Sequence, residues 1–129
     1  MTNALKIETF PYFFAIAKIR NPASINWKSP FVFVGKTDDE LSLVALESEV
    51  PSDAYPVDRG YRMMRVAGTL DMSLTGILAP ISKVLADEEI PIFAVSTYNT
   101  DYILVKSHTF KNAVQALSRA GYLVTNEIS

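Results

Sequence analysis

Six consecutive residues concentrate the side-chain chemistry of this chain: Ser96, Thr97, Tyr98, Asn99, Thr100 and Asp101. They separate two apolar runs, IPIFAV and YILVK. A plain hairpin needs only two turn residues, usually Asn-Gly or Asp-Gly, and this corner has no glycine. Four hydroxyls, an amide and a carboxylate can hold a small polar molecule at a strand end, where side chains are rigidly placed. They can equally form a structural corner in which Asp101 accepts backbone N–H bonds across the turn.

A second polar stretch, GTLDMSLTGIL at 68–78, precedes a helical pattern and supplies Asp71, Ser73, Thr75, Gly76 and Ile77. Pro80 has no N–H, so the Gly76 carbonyl is left free if the helix already includes residue 76. A free carbonyl, the backbone N–H groups of a helix start and the Ser73 and Thr75 hydroxyls can together hold an ammonium and a carboxylate, the two ends of an amino acid. The alternative is that Gly76 merely begins the helix and Ser73 or Thr75 caps it. On the residues alone the two stand about even.

Other chemistries find little support. His108 is the single histidine and has no nucleophile or acid at a telling spacing. Asp38, Asp39 and Glu40 lie in a turn between two strands, where acids serve solubility, so no metal site is expected. Neither GxxxxGK[ST] nor GxGxxG occurs, and no cofactor is expected. No acid, base and nucleophile set emerges, so the chain reads as a non-enzyme. The net charge of -2 offers no basic field for nucleic acid, and YILVK lacks the aromatic and basic pattern that stacks bases.

With 129 residues, 49 % apolar and 20 % charged, the composition is that of one folded domain or two small halves sharing a core. Without cysteine there is no disulfide or thiolate chemistry. The most apolar early stretch, Phe10 to Ile19, contains Lys18 and is too short to span a bilayer. No signal-peptide pattern flanks it, so the cytoplasm is the expected location and no membrane partner is expected.

The elements that must position the two polar stretches can be read from periodicity. YFFAIAKI (12–19), FVFVGK (31–36) and ELSLVAL (40–46) predict strands, the last two joined by a turn at Thr37-Asp38-Asp39. Pro51, Pro56 and Gly60 leave space for a short helix at most, and YRMMRVAG (61–68) predicts another strand. Leu74, Ile77, Leu78, Ile81, Val84 and Leu85 trace a helix ending near Ala86. Thr109 is placed to cap a second helix along Phe110, Ala113, Val114, Leu117 and Ala120, with Gly121 at its C′ position and YLVT (122–125) as the last strand. Residues 61–125 thus read βαββαβ, the ferredoxin-like unit.

Displaced by 61 positions without a gap, Pro30, Val34, Leu43, Val44, Gly60 and Tyr61 fall on Pro91, Val95, Leu104, Val105, Gly121 and Tyr122. The coincidences sit at strand starts, strand ends and the closing glycine, which suggests duplication. The expected organisation is a degenerate N-terminal half, 1–60, and a complete C-terminal domain, 61–129, with strand 61–67 shared. The first crossover of the first half is too short for a full helix. Apolar surface left uncovered there would be buried by the second half or by another subunit.

The stretch LDMSLTGILAPISKVLADEEIPIFAVSTYNTDYILVK resembles the ACT domains of aspartokinases and, more closely, the small ACT proteins related to CASTOR-type arginine sensors. The resemblance rests on Gly76, Ile77, Leu78, Ile90, Ile92, Phe93, Ser96, Thr97, Tyr98, Thr100, Asp101, Tyr102, Ile103, Leu104 and Val105. It implies an α+β fold: a ferredoxin-like ACT domain preceded by a degenerate ACT-like half, with antiparallel sheets and helices on one face. It also implies a regulatory module that binds a free amino acid at an ACT to ACT interface, as a homodimer acting on a partner protein. Carried over, Thr75, Gly76 and Ile77 would meet the ligand on one side and Ser96, Thr97, Tyr98, Asn99 and Asp101 on the other, with Asp101 facing an ammonium or guanidinium group. The competing expectation is a non-catalytic interaction or dimerisation module without a small-molecule ligand.

Overall fold

Backbone pairing organises the chain around one long strand. The computed structural model describes residues 5–67 and 76–126. The elements are β1 (Lys6–Thr9), β2 (Phe14–Lys18), β3 (Val32–Lys36), β4 (Leu41–Leu46), β5 (Val57–Val66), α1 (Leu78–Asp87), β6 (Phe93–Ser96), β7 (Asp101–Lys106), α2 (Ser107–Arg119) and β8 (Leu123–Asn126). Two units result: residues 12–61, and residues 1–11 with 62–129. Residues before Tyr12 therefore group with the C-terminal residues rather than with 12–60.

In the unit of residues 12–61 the strand order is β3, β4, β2, β5, all antiparallel. Both crossovers are reduced to 3-10 turns, Pro22–Ser24 after β2 and Glu47–Glu49 after β4. Asn21 caps the first through its side chain, which accepts from the Ala23 N–H at 2.9 Å. The crossovers still cover apolar surface: Ile25 is buried and Ala54 partly so, packed with Ile19, Leu43 and Ala45. The expectation that this surface needs another body to cover it fails at these residues, because loop side chains substitute for helices.

In the other unit β7 lies between β5 and β6, and β1 lies between β5 and β8. The last strand of the βαββαβ unit therefore does not pair with its first. It pairs with β1, in parallel, and so departs from an all-antiparallel sheet. Sequence reasoning missed β1 because only Ile7 and Thr9 turn inward from its four residues, too short an alternation to register. Ile7, Met64, Val66, Ile103 and Val105 from the strands and Ile81, Leu85, Ala113 and Leu117 from the helices form one buried cluster, so both helices cover the same face. Each large aliphatic side chain buried there contributes about 1.5–3 kcal/mol relative to exposure.

Helix boundaries moved in two places. Of the α1 pattern, Leu74 lies outside the described residues, and Ile77 stands at the N-cap of a helix that begins at Leu78. Thr109 is not the cap of α2, which starts at Ser107 after an extended Lys106; the Thr109 hydroxyl instead donates to the Lys106 carbonyl at 2.9 Å. Both helices end alike. Gly121 (φ 104°) donates to Ser118 and Tyr122 to Leu117, each at 3.1 Å; Glu89 (φ 59°) donates to Ala86 and Ile90 to Leu85, each at 2.9 Å. These are Schellman motifs, and α1 runs one with a glutamate where glycine fits best. The acids at this end are offset by Lys83 on Asp87 (3.1 Å) and Arg119 near Glu88 (3.7 Å).

The hairpins of the two units share one geometry, but not at the displacement of 61 read from the sequence. Lys36 pairs with Leu41 and Ser96 with Asp101, so Thr37 corresponds to Thr97 and the hairpins match at a displacement of 60. At 61 every side chain would change face, which β pairing does not allow.

β5 is not a regular strand. Phe14 faces Tyr61 and Ile16 faces Asp58, so an extra residue bulges out at Arg59-Gly60, where Gly60 takes φ 83°. The Tyr61 hydroxyl donates to the Asp58 carboxylate across the bulge at 2.7 Å.

Replacing Glu89 by glycine removes the left-handed strain, and denaturant melts should show a gain of about 1 kcal/mol, a rise in Tm of roughly 3–5 °C. Burial, then the hydrogen bond to Asp58 and its charge, push the Tyr61 hydroxyl up to about 12 from its ordinary 10.0. A raised folded-state value stabilises the fold fully below pH 10 and loses that contribution as pH climbs through about 12. Ultraviolet absorbance titration should show a tyrosine component near pH 12 that Tyr61→Phe removes.

Candidate functional site

The polar corner is built by its own threonines. The Thr97 N–H donates to the Thr100 carbonyl at 2.9 Å, and the Thr97 hydroxyl donates to the same oxygen at 3.0 Å while accepting from the Thr100 N–H at 3.4 Å. Thr100 is buried, and its hydroxyl donates to the Val66 carbonyl at 2.7 Å. This bond fastens the turn between β6 and β7 to the end of β5. Ser96 and Asp101 are directly paired across the hairpin, with the Ser96 hydroxyl on an Asp101 oxygen at 2.6 Å.

The predicted residues thus divide by role. Thr97 and Thr100 hold the corner. Ser96 and Asp101 form a hydrogen-bonded pair, the serine exposed and the aspartate half-buried. Tyr98 and Asn99 project from the turn, with Tyr98 83 % exposed. Gly76 is exposed at φ 71°, with open space where a Cβ would stand, and Ile77 packs partly against the helix-side core. Asp71, Ser73 and Thr75 lie outside the described residues.

The free-carbonyl reading of Gly76 is corrected. With α1 starting at Leu78, Pro80 sits in the first helical turn, where its missing N–H would have had no intrahelical partner, and residue 76 precedes the helix. The Thr100 to Val66 bond is made within one unit of one chain and puts the corner at the strand end that leads into residues 67–76.

Two arginines escaped sequence reasoning. Arg65 stands opposite Glu8 across β5 and β1, with its Nε 2.7 Å from the carboxylate and its guanidinium 4.8 Å from the Phe10 ring and 5.9 Å from Tyr102. Burial pulls this guanidinium down, and bonding to Glu8 and Tyr102 outweighs it, leaving a net upward shift. Arg62 donates through Nε (3.2 Å) and a terminal nitrogen (2.8 Å) to the Phe10 carbonyl, and its guanidinium lies 4.0 Å over the Phe110 ring. Burial lowers its pKa. Their partners Glu8 and Phe10 lie on or just after β1, so recognising that strand would have exposed both. Among the described residues no group of three or more His, Asp or Glu side chains could hold a metal ion, and no helix is long and apolar enough to cross a membrane.

The equivalent corner of the other unit differs. Thr37 repeats the turn bond to Glu40 at 2.9 Å, but Asp38, Asp39 and Glu40 replace Tyr98, Asn99 and Thr100, and Glu40 accepts from Ser42 at 2.8 Å. Thr100 holds Val66 in a way a glutamate at the matching place does not.

This arrangement, two helices on one face of a sheet in βαββαβ order, matches a known family. Residues 57–119 match the family model of the ACT domain. This segment belongs to the ACT-domain family. Protein Atu0741 from Agrobacterium tumefaciens is similar over 98 % of this chain and 96 % of its own, at 30 % identity and a TM-score of 0.86. The ligand-free regulatory subunit of aspartate kinase from Thermus thermophilus shares the fold at 11 % identity and TM-score 0.65, over 92 % of this chain and 99 % of its own. An aspartate kinase from Clostridium acetobutylicum does so at 16 % and 0.62, over 88 % of this chain but 33 % of its own. No curated protein matches the chain.

Thr100→Val keeps the β-branched shape and removes the hydroxyl, so it should lower unfolding free energy by about 1–3 kcal/mol in urea melts. Tyr98→Ala, at an exposed turn position, should change it by less than about 0.5 kcal/mol.

Proposed function

We propose that this ACT protein is a cytoplasmic, non-catalytic sensor that binds a free amino acid at the corner 96–101 and passes the occupancy to a partner protein. The observation that carries the reading is the division of labour in the corner. Thr97 and Thr100 use their hydroxyls internally and fix the turn to Val66, while Asn99, Tyr98 and the Ser96–Asp101 pair remain presented around it. A preformed turn offers a ligand its polar groups without the entropy of ordering them. Asp101 supplies the carboxylate for the ligand's ammonium or guanidinium group, and Gly76 leaves space beside the start of α1. Asp71, Ser73 and Thr75 of the preceding loop complete the site in this reading, with a second copy of the chain across it. Residues 12–60 are taken as a reduced copy of 61–129.

A second reading has its own support. β6 pairs on one side with β7, no charged residue occurs from Ile90 to Thr100, and Phe93 is 37 % exposed. Edge strands are ordinarily blunted by charge or proline along their length, and an uncharged one suits pairing with another chain. This favours an interaction module in which the polar corner is only a turn.

Thermal-shift measurements against the twenty amino acids separate the two. A ligand at 100 times its Kd adds about 2.7 kcal/mol, a rise on the order of 10 °C. The expected result is a shift with one or a few amino acids, abolished in a folded Asp101→Ala variant. A folded protein that responds to none of them rejects the sensor reading in favour of the interaction module.

A further inference from the structure

Ser96 and Asp101 stand opposite each other across the hairpin of β6 and β7, and both strands belong to one unit. Side chains alternate along a strand, so Asp101 lies on the face of Ile103 and Val105, the face that both helices cover. Ser96 shares that face through its pairing with Asp101. Its hydroxyl donates its one proton to an Asp101 oxygen at 2.6 Å, and among the described residues this is the only bond of the Asp101 carboxylate. One oxygen is held and the other is left for a ligand. Asp101 is also the single formal charge between Ile90 and Val105. Lys106 stands at the other end of β7, roughly 17 Å along an extended strand. Arg65, whose neighbours Met64 and Val66 face the helices, lies on the opposite face and is bonded to Glu8.

We propose that Ser96 decides which cation Asp101 accepts, so that the ligand is held through an ammonium group and a guanidinium is rejected there. This inference rests on the reading of the corner as an amino-acid site and chooses between the two cations which that reading left open. A guanidinium binds a carboxylate best as a planar fork, with two parallel N–H bonds onto both oxygens of one carboxyl group. Ser96 already occupies one of those oxygens. A hydroxyl whose proton is spent still has lone pairs, so the pair presents acceptors only: the second Asp101 oxygen and the Ser96 Oγ. These two belong to different side chains, with no common plane imposed on them. An ammonium spreads three N–H bonds over a tetrahedron and can reach both at once. The shape of the turn does not need Ser96, since Thr97 and Thr100 hold it, which leaves the serine's bond to act on the carboxylate.

The test compares, on the full chain, each amino acid that gives a thermal shift with its Nα-amidino derivative, in which a guanidinium replaces the ammonium, and lysine also with homoarginine. Calorimetric titration reads the ratio of the two Kd values. In the wild-type chain the amidino derivative should bind roughly tenfold or more weakly, and the ratio should fall about tenfold in Ser96→Ala while persisting in Ser96→Thr, which keeps the hydroxyl. A derivative that binds the wild-type chain as tightly as its parent overturns the inference and leaves the sensor reading standing, and so does a ratio that is equal in wild type and Ser96→Ala. No response to any of the twenty amino acids overturns the sensor reading and this inference with it. Should Ser96→Ala not fold, Ser96→Val, which favours a strand and has no hydroxyl, is judged by the same ratio.

Discussion

The strands of both units depend on the pairing of β5. Its first residues complete the sheet of β3, β4 and β2, and its later ones stand at the centre of β6, β7, β1 and β8. A strand shared by so many neighbours passes any irregularity in it on to them. The bulge at Arg59-Gly60 is such an irregularity, placed where the chain leaves one unit for the other. It sets the side-chain phase of residues 61–66, so that Met64 and Val66 reach the helix-side core and Arg65 meets Glu8 on the other face.

From that strand the polar corner inherits its position. Val66 ends β5 with a carbonyl that Thr100 captures, which fixes the turn 97–100 relative to the sheet rather than leaving it to the hairpin alone. The internal bonds of Thr97 and Thr100 then hold the turn without Tyr98 or Asn99. Two of the six residues of the corner do the holding.

Much of this was legible in the sequence, and the gaps have physical causes. Helix α2 and its glycine end could be read because a long amphipathic stripe and a positive-φ residue both leave local marks; α1 showed the stripe, but its glutamate at φ 59° could not be foreseen, since only the surrounding bonds make that strain tolerable. β1 was invisible because its partners, β5 and β8, lie far away in sequence and its own four residues carry two inward side chains. The duplicated pattern was seen one residue out of step, because Gly60 and Gly121 align at 61 while the hairpins align at 60. The composition of the corner was apparent, but its internal division of roles was not, because Thr and Ser read alike until their bonds are known.

The place of β1 bears on how the molecule is made. Ile7 pairs with Val66 on one side and Val124 on the other, so one neighbour of β1 is made 117 positions later in the chain (124 less 7). Such distant closure is entropically late and slow. Until residues 123–126 arrive, β1 has one edge open and the growing chain carries an unsatisfied sheet margin, the condition in which nascent proteins most need protection from each other. The residues 12–61, whose strands all pair within fifty positions of one another, can order first and wait.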